Sequence, residues 1–262
     1  MFYVLIDFGL SVLLFASMLA AMLFGVRFGK RNRARADGEV TGSSAVDGAV
    51  YALLGLLVAF TFSGAASRFD ERRDLIVEEA NDIGTAWLRL DLLPPEAQPD
   101  LRMLMRDYTY ARLQIYKMLP DIEAAREQLQ KSQGLQGQIW DKAVAASREP
   151  GQSTAAAMLL LPALNAMFDI TTTRTMAMMK HPPTAIFVML YMICVLAALL
   201  AGHNMGLSGK VSGLHVIAFP LVLSAAVNLI LDLEHPRLGA ITVDDFDQVI
   251  EQSLASMEAR LQ

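Results

Sequence analysis

Four long apolar runs constrain this sequence more than any other feature. Each has roughly the 17 to 25 residues that a helix needs to cross a hydrocarbon core about 30 Å thick, and they cover residues 2–25, 49–66, 183–202 and 211–231. The composition agrees, since 54% of the 262 residues are hydrophobic and only 19% are charged. The pattern predicts an all-α integral membrane protein with four transmembrane helices.

The segment between the second and third runs, residues 67–182, lacks membrane character. It shows helical periodicity without hairpin signals, and proline-containing breaks divide it into four helices, at about 67–92, 100–119, 121–148 and 153–180. Asp100 and Asp121 each follow a proline and are predicted N-caps. We expect a four-helix extramembrane domain inserted between spans 2 and 3, whose first helix continues span 2.

The rest of the chain falls into three parts around this domain. Spans 1 and 2 occupy residues 1–66, spans 3 and 4 occupy 183–231, and a C-terminal tail follows at 232–262. The tail is acidic and amphipathic, and we expect its apolar side chains to pack on the helical domain. These are Phe246, Val249, Ile250, Leu254 and Met257.

Span 2 passes into charged sequence with no proline between residues 49 and 92. We therefore predict one helix of more than forty residues that leaves the bilayer, roughly 60 Å long at about 1.5 Å per residue. Its membrane part carries a small residue at every fourth position, a spacing that lets another helix approach closely. This helix-packing ladder consists of Gly55, Ala59, Ser63 and Ser67.

The same part of span 2 has a second interpretation. Phe60, Thr61, Phe62 and Ser63 are candidates for a pore lining, in which an aromatic ring forms a constriction that gates by dewetting. Sequence alone leaves packing and pore lining open, with packing favoured.

Polar side chains occupy adjacent turns on two predicted helices of the inserted domain. If the two faces meet, the groups form a buried network that fixes helix register. If copies of the chain assemble around an axis, the same groups form an ion-binding or ion-conducting surface. The residues are Glu78, Asn81, Asp82 and Thr85 on the first helix, and Asn165, Asp169 and Arg174 on the fourth.

The end of span 4 is the last polar candidate. Asn228 lies within apolar sequence, where a helix–helix hydrogen bond is the common outcome. Asp232 and Glu234 follow at the mouth of the span, and Arg237 is expected to reach back to a carboxylate or to headgroups.

Several functional classes lack support. The net charge of −5 gives no basic footprint for nucleic acid. The four histidines lack metal-ligand spacing, and no cofactor or catalytic motif occurs, so we expect no metal, no cofactor and no enzyme activity. The expected partners are the lipid bilayer, further copies of the chain and ions.

Residues 27–35, the predicted loop after span 1, contain five basic side chains. The positive-inside rule places this loop in the cytoplasm and the helical domain outside the cell membrane. Basic residues near the opposite ends of the spans, such as Arg68 and Arg72, oppose this orientation.

Three segments together resemble the bacterial bestrophin-like domain family. They are AFTFSGAASRFDERRDLIVEEANDIGTAWLRLDLLP at 59–94, LLPALNAMFDITTTR at 160–174, and LILDLEHPRLGAI at 229–241. The resemblance covers nearly the whole chain and implies likeness to bestrophins, which are pentameric anion channels with four membrane helices and a helical domain that extends the pore.

The resemblance therefore implies a homo-oligomeric ion channel lined by span 2 and its helical extension. The alternative is a non-conducting, membrane-anchored interaction or sensor module. Two bestrophin features are not carried over: bestrophins keep the helical domain in the cytosol, and their calcium clasp is not recognisable here.

Overall fold

The computed structural model describes residues 2–35 and 44–261, and every regular element in these ranges is helical. The predicted all-α class is therefore confirmed. Short 3₁₀ turns lie at Leu90–Leu92 and Asp244–Asp247. The α-helices are α1 Phe2–Arg35, α2 Ser44–Arg89, α3 Gln98–Lys117, α4 Ile122–Ser147, α5 Thr154–Met179, α6 Thr184–Ser208, α7 Gly213–Glu234 and α8 Gln248–Leu261.

Four helical stretches are long and apolar enough to cross a membrane, as predicted. The third of them joins α5 to α6, and α6 corresponds to the predicted span 3. The stretches are Leu5–Arg35, Ala45–Leu92, Thr154–Ser208 and Gly213–Glu234. The placement of the helical domain outside the bilayer stays a prediction.

The long helix predicted from span 2 is confirmed. Helix α2 has 46 residues without a break, which corresponds to about 69 Å at about 1.5 Å per residue. Only 11% of the most apolar 18 residues of this stretch are buried within the chain, whereas 28% to 33% of the corresponding residues are buried in the other three stretches. Most of the apolar perimeter of α2 is therefore open in the single chain.

Two boundary predictions were wrong. Residues 27–35 form the last turns of α1 rather than a loop, because lysine and arginine favour helix and interact well with a helix C-terminus. Helix α3 begins at Gln98, so Asp100 lies in its first turn and Ala97 is the N-cap. At α4 the prediction is confirmed, since the Asp121 side chain accepts a 3.1 Å hydrogen bond from the Ala124 N–H.

The chain divides into two compact units, of which the first comprises Met1–Arg68 and His181–Ile241. In this unit α1 packs along α6 and α7. Leu14, Met18 and Met22 of α1 are fully buried, as are Cys194 and Ala197 of α6.

A glycine seam, which consists of Gly25 and Gly29 on α1 with Gly202 and Gly206 on α6, brings these two helices together. A Cβ atom at Gly25 would overlap the Leu199 carbonyl oxygen and lie 2.8 Å from the His203 nitrogen. Added Cβ atoms at the other three positions would likewise overlap backbone of the facing helix. Both pairs have the Gly-x-x-x-Gly spacing that permits close helix approach in membranes.

The second unit comprises Phe69–Lys180 and Thr242–Gln262. Its main core joins the end of α2 to α3, α4 and α5, and includes Ile83, Tyr108, Ile139 and Leu164. Helix α8 packs on α3, as predicted for the tail. Ile250, Leu254 and Met257 are buried, and Phe246 and Val249 pack partly buried beside them.

Candidate functional site

The small-residue ladder on α2 faces outward. Gly55, Ala59, Ser63 and Ser67 are all exposed, and no atom lies within 4 Å of a Cβ built at Gly55. Within the part of the chain that the structure describes, the ladder is therefore open to a neighbour. The close helix contact that small residues permit occurs instead at the glycine seam of α1 and α6.

The predicted pore-lining residues point in different directions. Phe60 is 68% exposed and lies three residues before Ser63, so the two share one side of the helix. Phe62 is 42% exposed but is turned away from that side. The Thr61 hydroxyl donates within its own helix, to the carbonyls of Leu57 at 2.8 Å and Val58 at 3.0 Å. Phe60 and Ser63 are therefore the better lining candidates.

The charged part of α2 also has an outward face. Glu78, Asn81 and Thr85 are exposed, and Asp82 is half-buried. Burial raises the pKa of Asp82, and the nearby carboxylates of Glu78 and Glu79 raise it further. Asp70 and Asp74 extend the same exposed side toward Ser67.

The alternative in which these polar groups form a buried network within the chain is not what the structure shows. Asn165 and Asp169 on α5 are exposed, as are Glu78, Asn81 and Thr85 on α2. The inner face of α2 contains Ile76 and Ile83, and residue 79 rather than 78 shares that face. Of the predicted set only Arg174 is fully buried, at 3% exposure.

The buried network is built on Glu79, which is 0% exposed. Arg112 of α3 donates to both carboxylate oxygens, with Nε 2.5 Å from Oε1 and Nη2 3.2 Å from Oε2. Arg174 of α5 donates to Oε2 and lies over the Tyr116 ring, 4.2 Å from its centroid. The Tyr116 hydroxyl accepts from Arg112 at 3.0 Å. One side chain thereby links three helices of the second unit.

Two guanidinium groups surround the single carboxylate of Glu79. Burial alone would raise the pKa of Glu79, but the charges and hydrogen bonds of Arg112 and Arg174 outweigh it and lower the pKa to about 2. The network is therefore ionised at any physiological pH. A third arginine, Arg72, lies at the end of α5 and donates to the carbonyls of Ala177 at 3.1 Å and Lys180 at 3.0 Å.

The mouth of span 4 is a tight turn held by Asp232. Its carboxylate accepts from the N–H groups of Ala240 at 2.6 Å and Ile241 at 2.8 Å. A Cβ at Gly239 would lie 2.6 Å from Asp232 Oδ1, which explains the glycine. Glu234 accepts a bidentate pair of hydrogen bonds from Arg68 of α2, while Arg237 lies half-buried beside the turn.

Two further polar pairs tie α1 to α7 inside the first unit. Asp7 Oδ2 lies 3.0 Å from His235 Nδ1, and Asp7 is only 4% exposed. The Ser11 hydroxyl, 2.8 Å from the Asp7 carbonyl, also lies 3.0 Å from Asn228 Oδ1. Asn228 thus makes the interhelical hydrogen bond that sequence favoured.

Sequence reasoning missed the roles of Arg112, Tyr116 and the glycine seam. The seam had a readable signal, since Gly25-x-x-x-Gly29 and Gly202-x-x-x-Gly206 are both present in or beside apolar runs. Among residues 2–35 and 44–261, no three His, Cys, Asp or Glu side chains are grouped to hold a metal ion.

The chain is similar to known bestrophin-type proteins along most of its length. The bestrophin-like domain family matches residues 10–246. A variant of a bacterial bestrophin homologue from Klebsiella pneumoniae has a TM-score of 0.70 at 16% identity, covering 93% of this chain and 98% of its own. A structure described as a membrane protein has a TM-score of 0.69 at 14% identity, covering 95% and 98%. At these identities the likeness shows a shared fold, and no curated protein matches the sequence.

Proposed function

The chain belongs to the bestrophin-like domain family, and on that premise we propose that copies of it assemble around α2 into an ion channel. One observation carries the proposal: α2 has one side that stays exposed along the whole helix. Steps of three and four residues keep these positions on one side of a helix. The exposed positions on this side include Ala52, Leu56, Ala59, Ser63, Ser67, Asp70, Asp74, Glu78, Asn81, Thr85 and Leu88, called here the α2 outer face, and further exposed residues such as Leu53, Gly55, Phe62 and Val77 flank it.

The chemistry of the α2 outer face changes along the helix. Its membrane part has small side chains, mostly alanine and serine, which leave room for a narrow path between helices. Its later part carries carboxylates, amides and hydroxyls, which suit contact with water and ions. Phe60, at the edge of the small-residue part, is the proposed apolar constriction.

The charges on the outer face favour cations. Asp70 Oδ1 lies 3.0 Å from Arg73 Nη1, so its charge is paired. The carboxylates of Asp74 and Glu78 have no ion-pair partner within 4 Å among the residues described. In a symmetric assembly each carboxylate is repeated once per subunit, which produces the rings of negative charge typical of cation pathways. The proposal therefore departs from the anion selectivity that the resemblance to bestrophins implies, and it assigns the chain no catalytic role.

Removal of the two unpaired carboxylates tests this proposal. In liposomes with a potassium chloride gradient, we expect the wild-type protein to give a reversal potential of the sign for cations. Asp74→Asn with Glu78→Gln should move that potential toward zero, because two rings of negative charge are lost. A reversal potential is the measurement, since it is independent of the number of channels incorporated.

The matched control removes the same charge elsewhere. Glu127→Gln with Asp141→Asn changes two exposed carboxylates on α4, away from the α2 outer face, and should leave the reversal potential unchanged. An equal shift in both double variants, or monomeric protein that passes no ions, would contradict the proposal.

A non-conducting interaction module is the second candidate, and one observation favours it. Helix α5 has exposed methionines near both ends, with Met158 at 71%, Met176 at 56% and Met179 at 69% exposure. Methionine-rich surfaces adapt to varied partners. A partner that co-purifies in fixed ratio with protein that carries no ion flux would support this function instead.

We also propose that the second unit lies outside the cytoplasm. The support is the basic cluster Arg27, Lys30, Arg31, Arg33 and Arg35, which the positive-inside rule assigns to the cytoplasmic end of α1. Because α2 returns across the bilayer after this cluster, its later part emerges on the opposite side.

A single cysteine reports the orientation. Gln138 is exposed on α4, so Gln138→Cys in intact cells should react with a membrane-impermeant maleimide if the second unit is external. Cys194 is buried and provides an unreactive background. Labelling that appears only after the cells are permeabilised would reverse the orientation.

A further inference from the structure

A groove between α1 and α7 combines an apolar rim with a polar floor. It has a volume of about 350 Å³, near the lower end of the range for small-molecule sites. Phe8, Phe15 and Leu221 lie at the rim, and Ser11, Ser224 and Asn228 form the floor. Both helices are membrane spans, so the rim faces the acyl chains of the bilayer.

The polar floor has unused hydrogen-bonding capacity. Ser224 is 5% exposed, and its Oγ is buried without a hydrogen-bond partner among the residues described. Asn228 uses Oδ1 to accept from Ser11 and lies one helical turn from Ser224, while its Nδ2 donates to none of the described residues. A polar group left unpaired in hydrocarbon costs several kcal/mol, so the floor favours an occupant that bonds to it.

The chemistry of the floor indicates what kind of molecule the groove binds, because the floor has hydroxyl and amide groups but no charge. None of the lining residues is ionisable, so neither an anionic nor a cationic headgroup would find a counter-charge. Hydroxyl and amide groups both donate and accept, which matches a single hydroxyl on an otherwise apolar molecule. We propose that this groove binds a neutral membrane lipid whose head carries a hydroxyl group, with the hydroxyl on Asn228 and Ser224 and the chain along the aromatic rim.

Photolabelling in phosphatidylcholine nanodiscs tests the site. The probe is a long-chain alcohol with a diazirine in its chain, and the comparison probe is the same chain without the hydroxyl. We expect the alcohol to label α1 and α7 residues of the groove about three- to tenfold more strongly, the value of one or two hydrogen bonds. Asn228→Leu should remove this preference.

A second variant keeps the polar floor intact. Ala225 is exposed at the edge of the groove, so Ala225→Phe should fill the space and lower labelling by the alcohol to background. Ala20→Phe, at an exposed position of α1 outside the groove, is the matched control and should label like the wild type. Equal labelling by the two probes, labelling that survives Ala225→Phe, or a cross-link from the groove to a second copy of the chain would overturn the proposal.

Discussion

Glu79→Ala should lower the free energy of unfolding of the second unit by about 3–5 kcal/mol. The substitution leaves Arg112 and Arg174 buried, at 1% and 3% exposure, with no carboxylate between them. A buried charge that loses its partner keeps its desolvation cost and loses the attraction that offset it. The substitution also removes the hydrogen bonds that join α2 to α3 and α5, because Glu79 accepts from an arginine of each helix.

The chain contains its own reporter for this measurement. Its two tryptophans, Trp87 and Trp140, both belong to the main core of the second unit, so tryptophan fluorescence follows the unfolding of that unit. Glu78→Ala is the matched control, since it removes an exposed carboxylate one residue away and should change stability by no more than about 0.5 kcal/mol. Similar losses in the two variants would show that Glu79 is not the anchor. If unfolding is irreversible, unfolding rates replace free energies.

The same carboxylate gives a signature in acid. The pKa of Glu79 is lowered in the folded state from 4.5 to about 2, so its stabilising effect is present above pH 4.5 and is lost as the pH falls toward 2. Glutamine does not titrate, so the stability of Glu79→Gln should depend less on pH in that window. An unchanged pH dependence would contradict the ion-pair account.

The positions of the helices along the chain could be predicted from sequence, because they depend on local residues. Apolar runs of spanning length, prolines between helices and the Asp121 cap are local signals, and the structure places helices accordingly. Helix ends without such signals were misjudged: nothing local stops α1 before Arg35, so it continues through the basic residues. Boundaries depend on the sum of weak preferences, whereas long periodic segments do not.

The buried network was less readable because it depends on register and distant partners. Glu78 and Glu79 are adjacent and differ by about 100° around the helix, so composition does not distinguish them. The apolar pattern does, since Glu79 lies three residues after Ile76 and four before Ile83, both buried. Its pairing with Arg112, 33 residues away in sequence, is set by tertiary packing.

For the small residues of α2, sequence predicted two alternatives and could not choose between them. Gly55, Ala59, Ser63 and Ser67 are small in any environment, so sequence could not tell a helix contact within the chain from a surface toward another copy. The structure leaves all four exposed and assigns close contact to the glycine seam. A pattern of small residues shows that a helix face permits close contact, but the packing of the other helices determines whether that face is in contact or exposed.

Gly25→Leu should destabilise the first unit by about 3 kcal/mol or more. Its Cβ would overlap the Leu199 carbonyl oxygen and lie 2.8 Å from the His203 nitrogen, so relief requires movement of backbone rather than of a flexible side chain. Overpacking a close-packed contact costs about 1–3 kcal/mol even where side chains can yield. Separation of α1 from α6 also removes the contacts of Met18 and Met22, which are fully buried.

Cys194 and a second glycine make this measurement specific. Cys194 is the only cysteine of the chain and is 0% exposed in α6, so its reaction with a thiol-reactive dye during heating reports the first unit. Gly9→Leu is the matched control on the same helix, because Gly9 is exposed and no atom lies within 4 Å of its added Cβ. We expect the midpoint to fall by roughly 5–10 °C for Gly25→Leu and to stay the same or rise for Gly9→Leu, since leucine favours helix over glycine. Equal midpoints for the two variants would show that α1 and α6 do not depend on backbone contact at the seam.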